Sequence, residues 1–173
     1  MRHRAFTLLE LILVMAIITI IIGMAVPRLH GFARGRRTAQ CAEQIVALTH
    51  YARSQAITQG VPYRMNLDSG KGTYWLTRQQ DDGQFGQLTS NFGLQFEAPD
   101  STRLSWNAPM QQDGQYIQFQ PNGRVDPAQI QVLSSDGETY VIGCLSATEM
   151  YKVLTPQEQQ WAQQQQQQQQ QPR

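Results

Sequence analysis

The residue with the clearest potential for chemistry is Glu10, the one charged side chain in the apolar segment from Leu8 to Val26. A carboxylate on a membrane helix costs about 2.5–3.5 kcal/mol at the bilayer centre and less near the interface, so it needs a positive partner. If the chain were cut between Ala5 and Phe6, the new amine of Phe6 would lie one helical turn from Glu10. A neighbouring molecule cut at the same place would offer the same amine.

The other reactive side chains are few. Two cysteines, Cys41 and Cys144, and three histidines are too few for a zinc site of the usual Cys/His spacing. Outside the cytoplasm the cysteines could form a disulfide, and two buried free thiols are the alternative. His50 has no Ser or Cys partner at a known spacing, and the common phosphate-loop, esterase and metalloprotease motifs are absent. We therefore predict a chain that is not an enzyme and that uses no metal and no cofactor.

Composition differs sharply between one early apolar segment and the rest of the chain. The 173 residues carry 14 basic and 13 acidic side chains, and this balance argues against a nucleic-acid partner. Only 16% of the residues are charged and the mean hydropathy is −0.45, although one early segment is almost wholly apolar. The sequence therefore predicts a membrane segment followed by a markedly polar remainder.

The apolar segment is just long enough to cross a membrane. Leu8 to Val26 gives 19 residues, and Pro27 then ends or kinks the helix. A cleaved secretory signal is the alternative, but its A-x-A-like cleavage site is poorly matched here. More arginines follow the segment than precede it, which taken alone favours a cytoplasmic C-terminal side. The basic stretch Arg28 to Arg36 contains two glycines and suggests a hinge, which either contacts anionic lipid or is a solvated helix face.

The remaining segments predict one helix and then many strands. From Thr38 to Ile57, small and apolar residues including Ile45, Leu48, Ala52 and Ala56 recur at helical spacing. Seven short segments with turn residues between them are predicted as strands: Tyr63–Leu67, Thr73–Arg78, Gly93–Glu97, Arg103–Trp106, Tyr116–Gln120, Ile130–Ser134 and Thr139–Cys144. The predicted fold is α+β, with a long N-terminal helix, membrane-spanning in its first half, packed on antiparallel sheets.

Two further features carry specific expectations. Arg53 lies between small residues on the predicted helix, and we expect it to pair with Glu43 or with a backbone carbonyl of the sheet. From Pro156 the chain becomes a Gln-rich tail, for which we predict disorder or a frayed helix. A tether, an interaction strip anchored by Trp161 and a dispensable repeat stay open as roles of this tail.

The N-terminal motif resembles the prepilin signal of type IV pilins and type II secretion pseudopilins. The resemblance is carried by the basic leader Arg2-His3-Arg4-Ala5, by Phe6-Thr7-Leu8-Leu9-Glu10 and by Pro27. It implies that prepilin peptidase cuts between Ala5 and Phe6 and that the amine of Phe6 is then methylated. It also implies that Glu10 sets the register between subunits and that Pro27 kinks the helix. Ala5 stands where the family usually has Gly.

Later segments narrow the resemblance to the GspH/FimT family of pilin-like proteins. They are Arg37-Thr38-Ala39-Gln40, Ala52-Arg53-Ser54-Gln55-Ala56-Ile57, Gly72-Thr73-Tyr74-Trp75-Leu76 and Gln118-Phe119-Gln120-Pro121-Asn122-Gly123-Arg124. The implied function is a minor pseudopilin near the tip of the periplasmic pseudopilus of a type II secretion system. The alternative is a FimT-like minor type IV pilin involved in pilus assembly or DNA uptake.

These expectations divide the chain into five parts. They are a prepilin leader (1–5), a transmembrane helix (6–27), a stalk and amphipathic helix (28–60), a β-rich globular domain (61–155) and the Gln-rich tail (156–173). The resemblance implies a single-pass protein of the inner membrane with its globular domain in the periplasm, opposite to the orientation that the arginine count favours. The expected partners are prepilin peptidase, other pseudopilins of the filament and inner-membrane lipid. A plain membrane-anchored domain without a filament role is the remaining alternative.

Overall fold

A single helix, α1, runs from Leu8 to Gln59 and is about 78 Å long at 1.5 Å per residue. The computed structural model describes residues 8–88, 90–108, 110–111 and 114–169, without the side chains at 24–34, 91, 110–111 and 163–169. The helix continues through Pro27 and through the basic stretch Arg28–Arg36, so it neither ends nor unwinds where the sequence suggests an end or a hinge. The side chain of Pro27 lies outside the described set, and the kink predicted there stays a prediction.

The strands follow α1 in chain order. They are β1 (Tyr63–Asp68), β2 (Thr73–Gln79), β3 (Phe85–Gln87), β4 (Phe96–Glu97), β5 (Thr102–Asn107), β6 (Met110–Gln111), β7 (Gly114–Gln115), β8 (Ile117–Phe119), β9 (Gln129–Ser134), β10 (Thr139–Gly143) and β11 (Lys152–Val153). A 3₁₀ turn covers Asn91–Gly93, and a second helix, α2, covers Pro156–Gln169.

The strands form two main antiparallel sheets. The first has the order β3-β2-β1-β8, with β4 also paired to β2, and the second has the order β11-β10-β9-β5. In the second sheet, Leu104 on β5 pairs with Val132 on β9, and Ile142 on β10 pairs with Ile130. A separate small hairpin joins β6 and β7.

The core lies between the C-terminal half of α1 and the inner faces of both sheets. The helix buries the predicted stripe, since Ile45, Ala52 and Ala56 are 0% exposed and Leu48 is 3% exposed. The sheets cover this stripe with large apolar side chains. Along each strand these buried side chains alternate with more exposed ones, as expected for strands with one buried face. Those that are fully buried include Met65, Leu76, Ile117, Phe119, Ile130, Val132 and Ile142. The prediction of a helix packed on antiparallel sheets is confirmed.

Several local predictions need correction. Residues Gly93–Glu97 do not form one strand, because a 3₁₀ turn ends at Gly93 and β4 has only two residues. Strands β3, β6, β7 and β11 are two or three residues long, which is too short for an alternation pattern to reveal them. Residues Pro156–Gln169 form α2, which corresponds to the helical one of the two alternatives for the tail.

Membrane crossing was also predicted, over residues 6–27. Within the part of the chain that the structure describes, no helix has a stretch long and apolar enough to span a membrane. Phe6, Thr7 and the side chains at 24–27 lie outside that part.

Helix α2 begins at a reciprocal cap. The backbone N–H of Thr155 donates to Oε2 of Glu158 over 2.9 Å, and the N–H of Glu158 donates to Oγ1 of Thr155 over 3.4 Å. Pro156 takes the first helical position, where its missing N–H has no cost. Lys152 donates to Glu158 as well, and the hydrogen bonds from Lys152 and Thr155 lower the pKa of Glu158 to about 2.

Replacing Glu158 with Ala should unravel the start of α2, because the carboxylate no longer accepts hydrogen bonds from the backbone N–H and the hydroxyl of Thr155. Lowering the pH should have the same effect. The pKa of Glu158 is depressed, so its contribution is complete above the ordinary value of about 4.3 and is lost as the pH falls towards 2. Backbone chemical shifts of residues 156–162 in the detergent-solubilised chain would measure the helix. Gln157→Ala is the control, and an equal loss in that variant would contradict the role of the cap.

Candidate assembly interface

The N-terminal part of α1 extends away from both sheets. Every described side chain from Leu8 to Gly23 is exposed, and the first buried residue of the described helix is Thr38. The large apolar side chains in this part are between 44% and 78% exposed. They occur all around the helix and not in one stripe. The helix therefore exposes apolar surface on every side, and an apolar environment would cover all of it. We call residues Leu8–Gly23 the protruding helix.

Two polar side chains interrupt the protruding helix. Thr19 is satisfied locally, because its hydroxyl donates to the carbonyl oxygen of Met15 over 2.8 Å. Glu10 is exposed and is the one ionisable side chain between Leu8 and Gly23. It lies in the first described turn of α1. The predicted cleavage and methylation residues, Ala5 and Phe6, lie outside the described residues.

The helix enters the globular domain near the β9–β10 turn. A methyl group at Gly35 would lie 2.9 Å from Oε2 of Glu138, so this turn reaches the helix backbone closely. Three residues later, the hydroxyl groups of Thr38 and Thr102 lie 3.1 Å apart in a buried position. These contacts fix the point at which the protruding helix leaves the domain.

Arg53 holds the other end of the helix to the loop that joins β10 to β11. Its Nη1 donates to the carbonyl oxygen of Glu149 over 3.0 Å, and its Nη2 donates to that of Thr148 over 2.9 Å. Arg53 therefore binds backbone carbonyls, as one of the two expectations had it, and not Glu43, but the expected location in the sheet was wrong. The carbonyls belong to a loop and not to the sheet.

Two of the four segments that carry the family resemblance meet at this place, the one with Arg53 and Ile57 and the one with Gly123. Gly123 has a φ of +80°, which a residue with a side chain rarely adopts. A methyl group there would also lie 3.4 Å from Cδ1 of Ile57 and 3.8 Å from Nη2 of Arg53. The turn at Gly123 therefore packs against the same helix turn that binds the loop. Spacing in the sequence could not reveal this contact, because 66 residues separate Ile57 from Gly123.

The two cysteines are free and buried, so the structure has the second of the two alternatives and no disulfide between them. Sγ of Cys41 lies 3.9 Å from the hydroxyl of Tyr74, whereas the thiol of Cys144 donates to the carbonyl oxygen of Ser146. Burial raises the pKa of both thiols. Each thiol therefore acts as a small core residue.

Comparison with protein families identifies the chain. A family described as type II transport protein GspH matches residues 42–148, which is more than half of the chain. The chain belongs to the GspH family. A second family, the prokaryotic N-terminal methylation motif, matches residues 1–26 of this GspH-family protein. Comparison with curated proteins finds no match.

Solved structures share the fold of this GspH-family protein. The minor pseudopilin EpsH of the Vibrio cholerae type 2 secretion system gives a TM-score of 0.58 at 13% identity, over 69% of this chain and 98% of EpsH. A second EpsH structure gives 0.59 at 10% identity, over 70% and 97%. The type IV minor pilin FimU of Pseudomonas aeruginosa gives 0.53 at 14% identity, over 72% of this chain and 92% of FimU. The predicted pilin-like fold is confirmed.

Replacing Arg53 with Met should lower the free energy of unfolding by about 1–2 kcal/mol, because two charge-assisted hydrogen bonds are lost while the aliphatic stem is kept. Urea titration of the detergent-solubilised chain, followed by near-ultraviolet circular dichroism, would measure this. Arg36→Met, at an exposed position on the same helix, is the matched control. An equal change in both variants would contradict the specific role of Arg53.

Proposed function

We propose that this protein is a minor pseudopilin, a structural subunit near the tip of the periplasmic pseudopilus of a type II secretion system. The observation that carries the proposal is the presence of both family matches on one chain, the methylation motif over residues 1–26 and the GspH domain over residues 42–148. The minor pseudopilin EpsH, which has the same fold, supports it. In this role the protein supports export of proteins across the outer membrane.

The protruding helix is the assembly element in this proposal. Its side chains are apolar on every side, so it is stable either in lipid or among similar helices. Before assembly it lies in the inner membrane and stores the subunit there. In the filament it packs against the protruding helices of other pseudopilins, which replace the lipid.

Glu10 gives this assembly its register. The methylated amine of Phe6 on a neighbouring subunit is the proposed partner of the Glu10 carboxylate. In an apolar environment a charge pair has few competitors, and a displaced pair leaves both charges unpaired at a cost of several kcal/mol. Neighbouring helices are therefore aligned where the amine and the carboxylate meet.

Prepilin peptidase is the enzyme that the N-terminal motif requires. The methylation-motif match over residues 1–26 supports cleavage between Ala5 and Phe6 on the cytoplasmic side. The same match supports a single-pass anchor in the inner membrane with the GspH domain in the periplasm. The proposed role of the chain is structural and not catalytic, and inner-membrane lipid is its partner before assembly.

A minor type IV pilin is the second candidate, because the fold is also that of FimU. DNA uptake would require a cluster of cations available to phosphate groups. Arg53 is bound to backbone carbonyls, and the guanidinium of Arg64 lies 3.5 Å from the ring centroid of Phe85 and 3.8 Å from that of Tyr116. Both arginines therefore have roles within the fold, which favours the secretion role.

Replacing Glu10 with Ala should abolish secretion and incorporation into the filament, because the charge that sets the register is lost. The globular fold should be unchanged, since the first buried residue lies 28 positions further along the chain. A complementation assay for the exported protein, together with cysteine cross-linking between subunits, would measure both effects.

Glu43→Ala is the matched control, since it removes an exposed carboxylate from the globular half of the same helix. It should leave secretion intact. Normal secretion by Glu10→Ala would contradict the register role and would favour a plain membrane-anchored domain.

Processing should yield a mature chain that begins at N-methylated Phe6. Intact-mass and N-terminal peptide spectrometry of the protein made with and without prepilin peptidase would measure this. Ala5→Gly, which restores the usual family residue, should be cut at least as completely. A chain that still begins at Met1, beside a control substrate that is cut, would contradict the pseudopilin assignment.

A further inference from the structure

The outer face of the second sheet carries a group of uncharged polar side chains. Ser105 and Asn107 on β5 are directly opposite Gln131 and Gln129 on β9. Neighbours in such a pair are about 5 Å apart, and successive residues on one face of a strand are about 7 Å apart. We call these four residues the amide face. Three of them are exposed and Gln129 is half-buried, whereas the intervening Leu104, Ile130 and Val132 are buried.

The amide face has unused hydrogen-bonding capacity. None of its four side chains has a hydrogen-bond partner among the described residues. Glutamines elsewhere are engaged, since Gln44 accepts from Tyr74 and Gln118 accepts from Arg64. A free glutamine or asparagine amide offers two donors and one carbonyl acceptor. This face can therefore donate to and accept from one ligand at several points.

A pocket adjoins one end of the amide face. It has a volume of about 470 Å³, and its lining includes Asp100, Ser101, Arg103, Leu133 and Ser135. Arg103 and Leu133 are themselves a cross-strand pair next to Ser105 and Gln131. The pocket and the amide face are thus one continuous surface.

Helix α2, which carries an exposed indole, follows in the chain from the other end. Gly143 pairs with Gln129, and a methyl group at Gly143 would meet both Leu154 and Cγ of Gln129. Leu154 therefore lies beside the amide face, and α2 begins two residues later. Trp161, five residues into α2 and about 8 Å along its axis, is 49% exposed. This helix lies beyond residues 42–148, which the GspH family covers.

The lining of the pocket carries one charge of each sign. Arg103 lines the pocket together with Asp100, and Lys152 pairs with Glu158 near the start of α2. The four residues of the amide face carry no charge. A charged ligand would therefore find no complementary field, whereas a neutral ligand rich in hydroxyl and amide groups would find matching donors and acceptors.

We propose that the amide face, the adjoining pocket and Trp161 bind a glycan strand of the cell wall. Sugar hydroxyl and acetamido groups match the free amides, and the apolar face of a sugar ring packs on an exposed indole. An extended peptide is a poorer match, because peptides add to a sheet through the backbone at its edge and not through the side chains of its face. The proposal rests on the proposed function only for the periplasmic compartment.

The test uses the full chain in a detergent that contains no sugar. The probes are β-1,4-linked N-acetylglucosamine tetramer, followed by Trp161 fluorescence, and peptide-free glycan strands from amidase-treated cell wall, followed by co-sedimentation. Binding should be insensitive to salt between about 0.05 and 0.5 M, since no net charge is neutralised. Gln131→Glu should weaken binding of both probes at least about tenfold. Trp161→Ala should weaken co-sedimentation to the same extent.

Gln84→Glu is the matched control, because it makes the same change at an exposed glutamine before β3. It should bind like the wild type. Absence of binding, binding only to walls that keep their peptides, or equal binding by wild type and Gln131→Glu would each overturn the proposal. Glycan binding is measured on the isolated chain, independently of N-terminal processing and secretion. Failure of the glycan proposal can therefore be distinguished from failure of the proposed function.

Discussion

The structure depends on one contact, between the small-residue stripe of α1 and the inner faces of the two sheets. Ala42, Ala52 and Ala56 allow the helix backbone to approach the sheets, and Ile45 and Leu48 fill the space between these points. Among the described elements, α1 is the longest one on which either sheet packs its apolar face. Burial of this face is the main favourable term in folding, so both sheets rely on the same stretch of helix.

The two halves of α1 are continuous in structure and opposite in environment. In the C-terminal half a buried stripe alternates with polar side chains, as in an ordinary amphipathic helix. The protruding helix has no such stripe and is apolar all round. The domain can therefore fold around one half while the other half remains available to lipid or to other subunits. The proposed change of partner from lipid to filament does not require the domain to refold.

Much of the architecture could be predicted from the sequence, because its signals are periodic or tied to particular turn residues. Alternation located six of the seven predicted strands, and the small-residue spacing identified the buried stripe of the helix. Strands β3, β6, β7 and β11, with two or three residues each, gave no such signal. The sequence left two alternatives at Pro27, an end or a kink of the helix, and two for the tail, disorder or a frayed helix. Low complexity hides the start of α2, which depends on the cap formed by Thr155 and Glu158. The Arg53 site depends on long-range packing against Gly123, which spacing alone does not encode.

The unbroken helix has a mechanical consequence. A tensile force on the N-terminal end is transmitted along the helix axis and reaches the domain near Thr38. From Ala42 to Ala56 the stripe then carries the load in shear over about 21 Å, so that many side-chain contacts resist together and no single one yields first. The two hydrogen bonds of Arg53 lie near the far end of this stretch and resist sliding of the helix along the sheets. In the proposed filament, tension between the protruding helix and the domain is therefore shared along this stretch while the sheets stay folded.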